Sequence, residues 1–253
     1  CAGGADEGCV VLNANGCPAT GSGASCGVGK GACANGLCQY SDAQGYKWTL
    51  VPAGKFWMGC NAVVDGSCGG NAFEHPQHEV ELSAYWIGVY EVTAALYGKC
   101  VSAGSSGCTV PSTTGGSSYS TYGTSGKEQH PAAYINWAQS QAVCKWLGGD
   151  LPTEAQWEKA ARGGCEVYLG KDCKASAAKY PWGNAEPVCG EHAVFYKDAG
   201  TCGQGYTTFA VGAGSQKGAS PYGAYDMAGN IWEWTMDWYD KGFYGKAAAT
   251  AKD

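Results

Sequence analysis

AYDMAGNIWEWTMDWYD, residues 224–240, places three tryptophans and several carboxylates around a single Gly-Asn step, with no basic residue among them. A segment that only filled a core would not carry so many carboxylates, and a plain surface loop would not carry so many indoles. The stretch therefore fits neither description, and the role of Asp226 and Glu233 is left to be explained. We expect the indoles to belong to the core beside these two residues. The three tryptophans are Trp232, Trp234 and Trp238.

The composition predicts short elements joined by much irregular chain. The 253 residues include 41 glycines, 16 tyrosines and 10 tryptophans, whereas charged residues make up only 15%. The net charge of -6, together with the lack of any cluster of Lys and Arg, argues against nucleic acid as a partner. No apolar run approaches the roughly 20 residues that span a bilayer, so we expect no transmembrane segment.

Fifteen cysteines favour an oxidising compartment, which means an extracellular, periplasmic or cell-surface location reached by export. Zinc is the weaker interpretation, because the sequence has no Cys-x-x-Cys pair and only four histidines. Repeated spacing across Gly-rich and Ser-rich stretches predicts local disulfides that each close one loop. The predicted pairs are Cys60–Cys68, Cys100–Cys108, Cys165–Cys173 and Cys189–Cys202.

The other cysteines divide into one odd thiol and an N-terminal set. Cys144 lies in the helical-looking stretch NWAQSQAVCKWLG, and we expect it to be reduced and buried. Cys1 has two open explanations: signal cleavage just before a disulfide-bonded cysteine, or a lipid anchor as in bacterial lipoproteins. Without a lipid, six cysteines would pair among themselves: Cys1, Cys9, Cys17, Cys26, Cys33 and Cys38.

The sequence changes character near residue 45. Residues 1–44 are rich in Gly, Ala, Ser and Cys and have too few apolar side chains for a core, which predicts a disulfide-held appendage. Residues 45–253 form the second unit. Alternating residues predict strands within 46–60 and 78–93, and the class is α+β with little regular structure. Helices are predicted to begin after Thr93, Asn136 and Thr153.

Five segments carry a resemblance to a known family. They are LVPAGKFWMGC (50–60), EHPQHEVELSAYWIGVYEVT (74–93), HPAAYINWAQSQAVCKWLGGDLPTEAQWEKAARGG (130–164), YPWGN (180–184) and SPYGAYDMAGNIWEWTMDWYD (220–240). In this order they resemble the sulfatase-modifying-factor family, whose best-known member is the formylglycine-generating enzyme. The resemblance covers residues 46–240. It implies the formylglycine-generating-enzyme fold, a C-type-lectin-like variant that is often calcium-bound.

The resemblance implies that the opening stretch wraps a structural calcium ion. The implied ligands are the carboxylates of Asp226 and Glu233 and the main-chain carbonyls of Gly229 and Ile231. Ligand chemistry agrees, because a hard cation takes several oxygen ligands. In the rival interpretation, Asp226 caps a turn and Glu233 faces solvent. The second calcium site of the family is expected to be lost and replaced by the Cys189–Cys202 bridge, although Asp198 keeps an alternative open.

The resemblance also frames the question of catalysis. Formylglycine-generating enzymes oxidise a substrate cysteine with copper and dioxygen through two nearby cysteines, and soft thiolates are what Cu(I) prefers. The family carries that pair after the segment that matches 220–240, and the sequence reaches Asp253 without it. Cys33 and Cys38 have a similar spacing, which we attribute to the crowded cysteines of the appendage.

Two functions stay open. The first is a secreted or cell-surface domain, stabilised by calcium and disulfides, that acts as a structural or binding component of a surface or filament. Its partner would be a protein, a surface or another copy of the chain. The alternative is a copper-dependent formylglycine-generating oxidase acting on a sulfatase cysteine, with its catalytic cysteines beyond residue 253.

Overall fold

The computed structural model describes residues 32–34, 37–60, 72–112, 120–197, 200–205 and 207–246. The strands are β1 (Ala32–Ala34), β2 (Leu37–Ser41), β3 (Lys47–Val51), β4 (Gly54–Met58), β5 (His78–Leu82), β6 (Tyr85–Gly88), β7 (Tyr196–Lys197) and β8 (Gly200–Thr201). The helices are α1 (Ala94–Ser102), α2 (Trp137–Trp146), α3 (Glu154–Arg162) and the short α4 (Cys173–Ser176). The predicted mixed class with little regular structure is confirmed.

The largest sheet has four antiparallel strands in the order β1-β2-β3-β6. β4 pairs with β5, and β7 pairs with β8. The prediction of strand within 46–60 and 78–93 is confirmed, and each stretch contains two strands. Because β2 pairs with β3, residues 37–41 belong to the sheet of the main domain. The predicted division at residue 44 stays a prediction, since residues 1–31 lie outside the described ranges.

The three predicted helix starts are confirmed by their caps. Thr93 accepts a hydrogen bond from the Leu96 N–H at 3.1 Å. Asn136 and Thr153 each form a capping box, in which side chain and backbone at the first turn satisfy each other's groups. None of the helices in the described residues has the length and hydrophobicity that crossing a lipid bilayer requires.

The core consists of separate apolar clusters that join these elements. One lies between α1 and α2, around Tyr97 and Val143. A second joins β3 to α3 and contains Val51 and Tyr222. A third lies between β4 and β5 around Phe56. The second cluster also contains Ala224 and Met227, so it fixes the start of the acidic, tryptophan-rich stretch to the sheet.

Three of the four predicted local disulfides are confirmed: Cys100–Cys108, Cys165–Cys173 and Cys189–Cys202. Cys60 is disulfide-bonded, but Cys68 lies outside the described residues, and so do most of the N-terminal cysteines. Cys144 is a free thiol, as predicted. The prediction that it is buried is wrong, because the side chain is only partly covered and lines a cavity.

Candidate functional site

The stretch that begins at Asp226 forms a tight irregular loop. Asp226, Gly229 and Asn230 all have positive φ angles, of 59°, 97° and 63°. A Cβ atom at Gly229 would lie 2.1 Å from the carbonyl oxygen of Val194, so only glycine fits there. The Asn230 N–H donates to the same Val194 oxygen at 2.8 Å. The loop is therefore held against the chain around Val194 by its main chain.

Asp226 lies inside the protein, with 3% of its surface exposed. Its Oδ1 accepts a hydrogen bond from the Ser215 hydroxyl at 2.6 Å, and its Oδ2 accepts one from the Gly212 N–H. Desolvation by burial raises the pKa of Asp226, and these two hydrogen bonds partly oppose the rise. Each oxygen keeps one lone pair beyond these bonds, so Asp226 can still accept a further ligand.

Glu233 lines a cavity that is open to solvent, and the residue as a whole is exposed although neighbouring protein desolvates its carboxylate. Desolvation raises its pKa from 4.5 to about 7, the nearby charge of Asp226 adds to the rise, and a hydrogen bond with Trp157 opposes it. In that bond, Trp157 Nε1 donates to Oε2 at 3.3 Å. Glu233 is thus poised between its charged and neutral forms near neutral pH.

A third carboxylate, Glu91, was not predicted from the sequence. It is 7% exposed, and its Oε2 accepts a hydrogen bond from Asn230 Nδ2 at 2.7 Å. Its buried Oε1 makes no hydrogen bond. Desolvation, followed by the charges of Glu233 and Asp226, raises the pKa of Glu91 well above its usual value. Its position in VYEVT, two residues before the Thr93 cap of α1, was the signal in the sequence.

Within the described part of the chain, the three carboxylates lack a cationic ion-pair partner. Among the residues the structure describes, no Lys, Arg or His forms an ion pair with Glu91, Asp226 or Glu233. Desolvated carboxylates without a countercharge are costly, which is why their pKa values rise. A bound cation would reverse that cost. Glu91 Oε1 is buried without a hydrogen-bond partner, so this oxygen in particular would gain from a nearby positive charge.

The predicted calcium ligands all lie on this loop. Asp226 and Glu233 are close enough for their charges to interact, and Gly229 and Ile231 lie between them in the chain. No three His, Cys, Asp or Glu side chains of the described part of the chain converge closely enough to hold a metal. The predicted set has two carboxylates and two carbonyls, so that finding leaves the calcium site a prediction. The oxygen donors and the missing countercharge fit a calcium ion.

The indoles of this loop are not in the core, contrary to the sequence prediction. Trp232 is 99% exposed and Trp238 is 97% exposed, while Trp234 is also exposed and donates from Nε1 to the Ile135 oxygen at 3.0 Å. The reason is that the loop is irregular and its main chain is fixed by bonds such as that from the Met236 N–H to the Pro152 oxygen. Asp226 takes the inner position, and the rings project outward.

Beside the carboxylates is a cavity of about 820 Å³ between the four-stranded sheet, α2, α3 and the loop. Glu91, Glu233, Asp150 and Cys144 line it. Its aromatic walls include Tyr46, Trp48, Trp86, Tyr90, Trp157 and Trp232. No Lys, Arg or His is found among the described residues that line it. The cavity was not predicted from the sequence, although Trp48 in β3 and Trp86 in β6 were a signal.

Cys144 is the thiol in this cavity. Desolvation, with smaller contributions from the charges of Asp150 and Glu233, raises the pKa of Cys144 to about 12. The thiol is therefore protonated at neutral pH and is a poor nucleophile and a poor metal ligand.

Comparison with known proteins agrees with this architecture. Residues 38–252 match the family model described as "Sulfatase-modifying factor enzyme 1-like domain". A formylglycine-generating enzyme from Thermomonospora curvata is 38% identical over 119 residues, which cover 45% of this chain and 35% of that protein. The "Inactive C-alpha-formylglycine-generating enzyme 2" of Bos taurus is 34% identical over 125 residues, which cover 45% of this chain and 35% of that protein.

Among solved structures, PvdO from Pseudomonas aeruginosa has a similar fold. Its TM-score is 0.56 at 22% identity, and the match covers 82% of this chain and 77% of PvdO. The chain therefore spans about a third of the length of the two relatives named above and most of PvdO.

Proposed function

The chain belongs to the sulfatase-modifying factor enzyme 1-like family, and from that premise we propose that it acts as a binding module stabilised by calcium and disulfides. The observation that carries this proposal is the aromatic cavity beside three carboxylates that have no cationic partner among the described residues. Ligand sites in proteins are typically concave, mostly apolar and equipped with a few convergent polar groups. The cavity has all of these features.

The state of the cysteines supports binding over oxidation. Copper-dependent oxidation of a thiol needs a pair of soft thiolates with an open position for substrate. Six of the described cysteines form the three disulfides given above, and a seventh, Cys60, is also disulfide-bonded. Cys144 contributes one protonated thiol.

Calcium has a structural role in this proposal. Asp226, Glu233 and the carbonyls of Gly229 and Ile231 would hold the ion. When bound, it supplies positive charge to the acidic loop and fixes the loop's path. The protein contributes the tight turn at Gly229 and the buried position of Asp226. The effect is to hold Trp157 and Glu233 in place at the wall of the cavity.

We further propose that the protein is exported and that it binds a macromolecular partner. Disulfides persist in oxidising compartments, which supports an extracellular, periplasmic or cell-surface location. The exposed rings of Trp232, Trp238 and Tyr239 are of the kind enriched at protein interfaces. They support a protein partner, including another copy of the chain. A lipid on Cys1 stays a prediction, because Cys1 is outside the described residues.

The alternative function is a copper-dependent formylglycine-generating oxidase. The observation in its favour is the similarity to proteins that carry that name, including the one from Thermomonospora curvata. The relative named as inactive shows that the family scaffold also occurs without that activity.

An oxidation assay separates the two functions. The purified, disulfide-intact chain is incubated with Cu(I), dioxygen and a Cys-x-Pro-x-Arg peptide, and the peptide mass is followed. We expect no aldehyde, whereas an active formylglycine-generating enzyme under the same conditions serves as the positive control. Turnover of the peptide by this chain would overturn the proposal and establish the oxidase.

A further inference from the structure

We propose that the cavity binds a small organic cation whose charged group is a quaternary ammonium. The inference rests on the proposed binding function and names its ligand class. Three independent features of the cavity carry it: the aromatic walls, the unpaired carboxylate oxygen, and the volume.

The aromatic walls provide faces for a cation. The rings of Tyr46 and Trp48 meet edge to face with centroids 5.0 Å apart, and those of Tyr90 and Tyr225 stack at 5.4 Å. All four line the cavity. A ring that contacts its neighbour edge to face or with offset still has a face for a ligand, and aromatic cages of this kind recognise quaternary ammonium groups.

The carboxylates make the cavity selective for positive charge. Glu91 Oε1 is buried, makes no hydrogen bond and belongs to a side chain that lines the cavity. The charges of Glu91 and Glu233 both reach Tyr46, so the acidic groups and the aromatic wall share one region. Because no described lining residue is basic, no described side chain of the cavity competes with a ligand for the charge of Glu91, which is not one of the proposed calcium ligands.

The volume separates this ligand from a bare metal ion. A cavity of about 820 Å³ is within the usual range for small-molecule sites and exceeds what one ion fills. A hydrated metal ion needs oxygen ligands on several sides, which the indole and phenol faces do not supply. A quaternary ammonium group has an apolar methyl surface and a delocalised positive charge. It can therefore pack against aromatic rings while its charge is attracted to the carboxylates beside them.

The test compares choline with its neutral isostere, 3,3-dimethyl-1-butanol, by tryptophan fluorescence and calorimetry in saturating calcium. We expect choline to bind at least about 10-fold more tightly, since a desolvated cation–π contact adds a kcal/mol or more. Equal affinity of the two compounds, or no binding of choline at millimolar concentration, would overturn the inference. This comparison uses the unaltered chain and does not depend on a variant that folds.

Two variants locate the binding. Trp86→Leu removes a cavity wall and should weaken choline by about 5-fold, whereas Glu91→Gln keeps the shape, removes the charge and should weaken it by about 10-fold. Trp238→Leu is the matched control, because Trp238 is exposed and is not among the described lining residues. Equal losses in Trp238→Leu and Trp86→Leu would contradict the assigned site.

Two further experiments identify the source of the ligand and separate failure of this inference from failure of the proposed function. Phosphocholine replaces choline in one arm; tighter binding of choline indicates a free ammonium compound, and tighter binding of phosphocholine indicates a headgroup. The other arm repeats the oxidation assay with the same preparation. Loss of choline selectivity without aldehyde formation would refute the ligand class and leave the proposed binding function standing.

Discussion

Two clusters of charged side chains lie within the domain, and they differ in whether the protein supplies the countercharge. In the first, Lys159 on α3 has no exposed surface, donates to the carbonyl oxygens of Pro52 and Gly54, and lies 3.9 Å from Glu166. In the second, Glu91 and Glu233 have no described cationic partner. In the first cluster, the folded protein itself supplies the partners of the buried charge.

The contrast distinguishes charged groups that are paired within the protein from charged groups that a ligand could pair with. The Lys159 side chain extends from α3 to Pro52, between β3 and β4, and to Gly54 at the start of β4, so its hydrogen bonds connect elements of the core. The carboxylates of the second cluster come from loop positions beside a cavity, and desolvation raises their pKa values because no described cation offsets it. A cluster of the second kind gains stability from a ligand, and one of the first kind gains nothing.

The largest change in the free energy of unfolding is expected from removing the Lys159 ammonium group of the first cluster. Lys159→Met leaves the carbonyls of Pro52 and Gly54 without their donor and leaves Glu166 without its neighbouring cation. We expect the free energy of unfolding to fall by roughly 3–5 kcal/mol, as when one partner of a buried ion pair is removed. Urea denaturation measures the change.

The matched control for that variant is Lys55→Met. Lys55 pairs with Glu79 at 2.7 Å on the exposed surface of β4 and β5. Its loss should leave the denaturation midpoint close to that of the original chain, because exposed ion pairs contribute little. Similar losses from the two lysine variants would show that burial of the first cluster is not what stabilises it.

The second-largest change in the free energy of unfolding is expected from calcium binding at the second cluster. Calcium at 100 times its dissociation constant should raise the free energy of unfolding by about 2.7 kcal/mol over the chelated protein. Asp226→Asn and Glu233→Gln should remove most of that response, whereas Glu79→Gln on the exposed face of β5 should keep it. Thermal unfolding with calcium and with excess chelator measures it, and identical melting curves for the original chain would refute the calcium site.

Local chemistry made much of the fold predictable. The helix starts follow from the caps at Thr93, Asn136 and Thr153, because a cap needs only its own first turn. The Cys100–Cys108 bridge was predictable for a related reason, since a short loop keeps its two ends close. Family resemblance supplied the overall architecture, and the family match over 38–252 confirms it.

The parts that were missed depend on contacts between distant segments. Glu91 joins the acidic cluster only because the loop at Asn230 folds back onto the segment before α1. The alternation of β3 shows that Trp48 and Leu50 share a face, but it cannot show that this face opens into a cavity at one end. The outward rings of Trp232 and Trp238 were mispredicted because irregular backbone follows no periodicity.

The smallest expected effect is the pH dependence of stability without calcium. The pKa of Glu233 is about 7 in the folded protein, against an ordinary value of 4.5, so the folded state binds more protons than the unfolded state between these values. Stability in chelator should therefore fall as the pH rises from about 4.5 to about 7 and level off above. Because the carboxylate is open to the cavity, water weakens the effect.

Urea midpoints between pH 5 and pH 8, measured for the original chain and for Glu233→Gln, test this prediction. The slope should become shallower in Glu233→Gln without vanishing, since the pKa of Glu91 is raised in the same direction. Saturating calcium should reverse the slope in the original chain, because the ion binds the charged carboxylate and competes with its proton. An unchanged slope in Glu233→Gln, in chelator, would show that this carboxylate is already compensated. The contrast between the two clusters would then no longer hold at Glu233.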